Sequence, residues 1–189
     1  MKLLTTITLA ACAIAAEPML IGGTKFTELK LKSLDGAPAT IKTEGKITAV
    51  VFIATQCPIS NDYNERMKAL YADYASKGVQ FVFVNSNSTE PPEEVARHAK
   101  QHGFQFAVYK DPDNKEADRF AAEVTPHVFV LDKTGTVAYR GAIDDQRNEE
   151  KVTKKPLREA LDALLTGKAV PVTEHKAFGC TIKRAKKTT

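Results

Sequence analysis

The sequence predicts an α/β protein, a parallel-centred sheet covered by helices on both faces and preceded by an N-terminal hairpin. Three observations carry this expectation. Two largely apolar runs, Ile47–Ala54 and Val79–Val84, read as strands buried on both faces. Segments with apolar residues at helical spacing alternate with them, the order that builds a parallel sheet. A chain of 189 residues with 43% hydrophobic and 26% charged side chains is long enough for one well-packed domain.

The elements follow in order. Phe26, Leu29, Leu31 and Leu34 recur through Phe26–Ile41, and Asp35-Gly36 supplies a turn, so this stretch reads as the hairpin. After the Ile47–Ala54 strand, Pro58 suits a first helical turn, and Met67, Leu70, Tyr71, Tyr74 and Ala75 continue at helical spacing until Gly78. Val79–Val84 is the next strand. Pro91–Gln101 reads as a helix with prolines and acids at its start, ended by Gly103. A short strand at Phe106–Tyr109 and a helix around Lys115–Glu123 come next. Val128–Leu131 and Thr136–Arg140 form a hairpin through Asp132-Lys133-Thr134-Gly135. Leu157, Leu161, Leu164 and Leu165 mark a last amphipathic helix, closed by Gly167. The domain spans 25–170. Residues 171–189 form an extension that holds Cys180 and a basic tail, and its glycine makes mobility the expectation.

The net charge of +4 suggests nucleic acid until it is located. Lys183, Arg184, Lys186 and Lys187 sit in the tail and Lys2 in the leader, leaving 22 basic and 23 acidic residues in 17–180. A near-neutral body with a basic tail is not a nucleic-acid-binding face. Residues 1–16 have an early lysine, the apolar run Leu3–Ala11 and a small-residue end, which is the layout of a secretory signal too short to span a bilayer. Ala13-Ile14-Ala15 fits an ordinary signal peptidase and would release a soluble protein. Leu9-Ala10-Ala11-Cys12 fits a lipobox, which would anchor the protein to a membrane through acylated Cys12. The soluble form is favoured, because the core begins early, at Phe26, and leaves little tether. Export to the periplasm or beyond follows either way.

Three cysteines are too few for a disulfide scaffold and too scattered for a paired-cysteine zinc site. With Cys12 given to processing, Cys57 and Cys180 remain, in a compartment that permits pairing. Cys57 follows a buried strand and precedes a helix-starting proline in Ala54-Thr55-Gln56-Cys57-Pro58-Ile59-Ser60. A thiol there faces free backbone N–H groups and the positive end of a helix, which favour thiolate, the nucleophilic form. An inert cysteine filling the strand end is the alternative.

With those residues in view, the chain resembles the thioredoxin-like superfamily over 25–170. The carriers are the strand leading to Cys57-Pro58-Ile59-Ser60 and the later Val124-Thr125-Pro126 before a strand and hairpin. The N-terminal hairpin resembles the redoxin branch, which includes alkyl hydroperoxide reductase and thiol-specific antioxidant proteins. Cys57-Pro58-Ile59-Ser60-Asn61 with Gly179-Cys180-Thr181-Ile182-Lys183 is similar to a peroxiredoxin-like subgroup. The resemblance implies a three-layer α/β/α fold with a central mixed sheet. It also implies a cis-proline loop at Thr125-Pro126, beside the active sulfur, where free backbone groups bind a substrate strand. Three departures stand. Ser60 replaces the second cysteine of Cys-x-x-Cys and cannot close a disulfide. Thr55 lies two positions before Cys57, where peroxiredoxins place a threonine three before. Ile47–Ala54 carries no buried acid.

Cys180 is then the candidate resolving thiol, 123 positions after Cys57. A redox pair, a permanent bridge and two sulfurs that never meet all remain open. Arg140 and Arg66 are weaker candidates for lowering a thiol pKa. Asn61 and Tyr63 are candidate pocket members, and Asp144-Asp145 reads as a solvated loop. His98 and His102 share a helical face without an evident third ligand, and His127, next to Pro126, is expected near Cys57. The expected function is an exported thiol–disulfide oxidoreductase, with Cys57 as nucleophile and Cys180 as its resolving partner. Thr55, Pro58, Ser60, Asn61, Thr125, Pro126 and Arg140 are expected around the substrate. No flavin or nicotinamide motif is present, so no cofactor is expected, and electrons would come from a separate thiol reductant. The alternatives are a thiol peroxidase working through a Cys57 sulfenate, and a non-catalytic metal- or peptide-binding module.

Overall fold

The computed structural model describes residues 23–186, so the leader, with Cys12 and its two cleavage readings, lies outside the described residues. No helix among the described residues is long and apolar enough to cross a membrane. The chain forms β1 (Glu28–Lys32), β2 (Pro38–Lys42), β3 (Thr48–Ile53), α1 (Pro58–Asp62), α2 (Asn64–Ala75), β4 (Gln80–Asn85), α3 (Pro92–Gln101) and β5 (Val108–Lys110). It continues through α4 (Lys115–Arg119), β6 (Val124–Thr125), β7 (His127–Leu131), β8 (Val137–Gly141), α5 (Pro156–Leu165), β9 (Glu174–His175) and β10 (Cys180–Thr181).

Eight strands form a mixed sheet in the order β2-β1-β5-β4-β3-β7-β8-β9. The centre is parallel, β3 with β4 and β4 with β5, while β7 runs antiparallel beside β3. Every residue of β3 is buried, and its period-two side chains divide two cores. Ala49, Val51 and Ile53 meet Met67 and Leu70 of α2, Val95 of α3 and Leu157 and Leu161 of α5. Val50 and Phe52 meet Phe26, Leu29, Ala117 of α4, Phe120 and Ile182 on the other face. Both faces are covered, as the sequence predicts. The second is closed by one short helix together with the hairpin and the C-terminal segment.

Prolines open α1, α3 and α5, where their missing N–H is no loss. The single helix expected after Pro58 is broken at Tyr63, whose buried hydroxyl lies 3.0 Å from Asp144 Oδ1 and 2.9 Å from the carbonyl of Gln146. The helix expected to reach Glu123 stops at Arg119, and Ala121 takes a left-handed φ of 48°.

The larger correction concerns 171–189. As far as Lys186 this segment is built into the fold rather than left as a mobile tail. Here β9 adds to the sheet beside β8, and β10 pairs antiparallel with β6 in a second, two-stranded sheet. Ile182 is only 3% exposed. Lys183 N donates to Asn87 Oδ1 at 2.7 Å, and Ala185 N donates to Asn114 Oδ1 at 2.8 Å. These partners lie 96 and 71 positions away, so no local pattern announces them.

Candidate functional site

The site is assembled where β3 ends. Cys57 is the N-cap of α1, with extended backbone (φ −92°, ψ 112°) and Pro58 following in the first turn. Its sulfur accepts the Ser60 N–H at 3.2 Å. An N–H aimed at sulfur from a helix start favours thiolate over thiol, both as nucleophile and as leaving group. Ser60 is itself buried, and its hydroxyl accepts the Ala54 N–H at 3.1 Å. It braces the approach to Cys57 rather than offering a second reactive group.

Cys57 is bonded through sulfur to Cys180, with the two Cα atoms 5.9 Å apart. Of the three relations left open by the sequence, the sulfurs are paired. The pairing is registered by backbone: Cys180 lies opposite Thr125 and Thr181 opposite Val124, and Ile182 N donates to Glu123 O at 2.9 Å. The Thr125–Pro126 bond is cis, as the resemblance implies, and Thr125 O lies 3.5 Å from Cys57 Sγ. Gly179 crosses this loop so closely that a Cβ added there would collide with the Thr125 carbonyl. Cys57 is 3% exposed, whereas Cys180 is partly exposed, so Cys180 is the more accessible residue of the pair.

The remaining candidates divide. Cys57, Pro58, Ser60, Thr125, Pro126 and Cys180 converge. Thr55 does not lend its hydroxyl to the sulfur, because it donates to Glu94 Oε1 at 3.1 Å. Asn61 donates to Thr55 O at 2.8 Å and meets His98 Nε2 at 2.9 Å. Arg140 bonds Glu174 at 2.6 Å. His127 stacks on Phe129 and lines a groove with Arg140 and Glu174, and burial together with nearby Arg140 pulls its pKa down to about 4. Among the described residues no cluster of three or more His, Cys, Asp or Glu side chains is placed to hold a metal ion.

Two features escape the sequence reading. Asp144 is buried, not solvated: Arg66 Nη1 meets its Oδ2 at 2.8 Å while the guanidinium stacks 3.5 Å over the Tyr63 ring. Burial, followed by the charge of Asp144, pushes the Tyr63 hydroxyl well above its ordinary pKa. Tyr63 in turn packs edge-on against Phe178, two residues before Cys180. The second feature is a buried acid that the strand lacks. Glu90 receives Thr55 N at 2.8 Å, Gln56 N at 3.0 Å and Asn87 Nδ2 at 2.8 Å, and it also meets Asn85 Nδ2. The only hint in the sequence is the polar run Asn85-Ser86-Asn87-Ser88-Thr89-Glu90 directly after a buried strand.

The model of the AhpC/TSA family matches residues 22–140, which takes in the hairpin, the Cys57 loop and β7. The chain belongs to this family. The thiol–disulfide oxidoreductase ResA of Bacillus cereus is 26% identical over 129 residues, covering 68% of this chain and 73% of ResA. An uncharacterized conserved protein of Geobacillus kaustophilus superposes with a TM-score of 0.81 at 30% identity, covering 88% of this chain and 94% of that one. Peroxidoxin BcpB of Mycobacterium tuberculosis shares the fold, with a TM-score of 0.60 at 18% identity over 77% of this chain and 96% of its own. As an AhpC/TSA protein with a thioredoxin-like fold, the chain is a thiol-dependent oxidoreductase.

Proposed function

We propose that the protein is an exported thiol–disulfide oxidoreductase whose working couple is Cys57 and Cys180. One observation carries the reading: the bridge joins a sulfur that accepts a helix-start N–H to a less buried cysteine on a short docked strand. In the reduced protein the Cys57 thiolate attacks a substrate disulfide. The substrate's S–S bond breaks, one substrate sulfur joins Cys57 and the other departs as thiolate. The Cys180 thiolate then attacks Cys57 Sγ, closing the bridge and releasing the second substrate thiolate. Two electrons pass to the substrate. A dithiol reductant restores them by attacking the sulfur of the less buried Cys180, and Cys57 leaves as the thiolate that the Ser60 N–H stabilises.

Thiol exchange is favoured over peroxide reduction because two groups that a peroxide site would draw on are committed elsewhere. Thr55 is bonded to Glu94 and Arg140 to Glu174. Export is supported by the leader-like residues 1–16 and agrees with a bridged form. The test is stepwise. Cys57→Ser is expected to abolish disulfide exchange, and Cys180→Ser to accumulate a stable mixed disulfide on Cys57, both read by intact mass. Full exchange activity in Cys57→Ser would overturn the proposal, and rapid turnover of hydrogen peroxide by the wild type would move it to the peroxidase reading.

A further inference from the structure

The backbone edge of β6 is where a substrate strand is expected, and it is occupied by the chain's own C-terminal segment. Cys180 and Thr181 take the antiparallel ladder against Thr125 and Val124, and Ile182 N extends it to Glu123 O. Main-chain bonds of this kind hold any extended peptide, and side chains then select among peptides. Three side-chain positions are read here. Gly179 crosses Thr125 where no Cβ fits. Thr181 points to solvent, and Ile182 enters the core among Phe52, Phe120 and Phe129.

We propose that residues 179–182 are a tethered copy of the substrate. On this view the β6 edge accepts extended polypeptides of the pattern glycine, disulfide-bonded cysteine, any residue, apolar residue. This rests on the oxidoreductase reading and names the substrate class of that site. The partner's disulfide sulfur takes the place of Cys180, and Cys57 attacks it as described above. The tether stays near the edge through Lys183 on Asn87, Ala185 on Asn114, and Arg184 on Asp118 at 2.8 Å. Its effective concentration is therefore high, and it competes with every partner for the edge. When Cys180 returns to resolve the mixed disulfide, its strand displaces the partner's strand, so resolution and product release coincide.

The test uses the reduced full-length Cys180→Ser protein and a synthetic peptide copying residues 178–183. The peptide cysteine carries thionitrobenzoate, whose release as a coloured thiolate reports attack by Cys57. The copy is expected to react about tenfold faster than a peptide with alanine for its glycine, since overpacking at that contact has no relief. A peptide with aspartate for its isoleucine is expected to be slowed similarly. Adding Ile182→Asp to the protein is expected to accelerate the copy about tenfold relative to a small aromatic disulfide, because the tether then vacates the edge. Circular dichroism establishes that this variant is folded, and Asn87→Ala, which loosens the tether from outside the core, is expected to shift the ratio in the same direction. Equal rates for the three peptides, or an unchanged ratio in both tether variants, would overturn the inference while leaving the oxidoreductase reading in place. If the small disulfide also fails to react with Cys57, both fall.

Discussion

Four donors converge on the carboxylate of Glu90, from Thr55 N, Gln56 N, Asn85 and Asn87, and the residue is only 1% exposed. Burial opposes its charge, but these donors outweigh burial and hold its pKa below the ordinary carboxylate value. The sign of the pH effect follows. A carboxyl whose folded pKa is depressed contributes stability above its unfolded pKa, and that contribution is lost as the pH falls through the folded value. Glu90→Gln keeps the shape but turns an amide N–H₂ toward a donor. It is expected to cost about 1–3 kcal/mol at neutral pH and to flatten the acid limb of the stability profile. Urea unfolding of the oxidised protein from neutral pH into the acid range measures both, and parallel profiles for the two proteins would refute the assignment. Sequence reading looks for such an acid on the strand before the cysteine and finds none. The acid arrives from a loop 34 positions beyond Gln56, a distance at which residue type alone carries no signal.

At the scale of elements, Asn87 joins two segments that the chain makes far apart. Its side chain donates to Glu90, which holds the Cys57 loop, and accepts Lys183 N from the segment that holds Cys180. Asn87→Ala is expected to leave the central sheet intact and to speed amide exchange at Lys183 by about fivefold, the value of one hydrogen bond near 1 kcal/mol. Hydrogen–deuterium exchange resolved to residues 179–185 reads this, and unchanged exchange there would show that Asn87 does not hold the segment. The elements legible in the sequence are those whose energy is local or periodic. The apolar runs of β3 and β4, the Asp35-Gly36 hairpin turn, and the prolines opening α1, α3 and α5 all belong to this group. The two-residue strands β6, β9 and β10 have no period to detect, and their pairing energy comes from partners elsewhere in the chain. The site was legible in the same proportion. Cys57, its helix start and the Thr125-Pro126 loop follow from motif and resemblance, whereas the docking of 179–185 needed the fold.

For the whole molecule, the bridge spans 123 positions and closes a loop that supplies residues to both cores. The chain-entropy model assigns such a loop about 5 kcal/mol. For a chain of this size that corresponds to a fall in Tm on the order of 10 °C when the bridge is reduced. The fold itself should persist, because Ile182, Asn87 and Asn114 keep the C-terminal segment seated without the sulfur bond. Scanning calorimetry with and without dithiothreitol is the measurement. A Cys57→Ser, Cys180→Ser double variant is expected to melt at the lower temperature under both conditions, and a wild-type Tm indifferent to reductant would refute the account. The link also runs in reverse. The free energy by which the bridge steadies the fold is the free energy by which the fold shields the bridge from reductants. An unfolded copy of the protein therefore gives up this bond to weaker reductants than the folded protein does. At a fixed thiol potential, the proportion of free cysteine therefore rises with the unfolded fraction, over and above what turnover contributes.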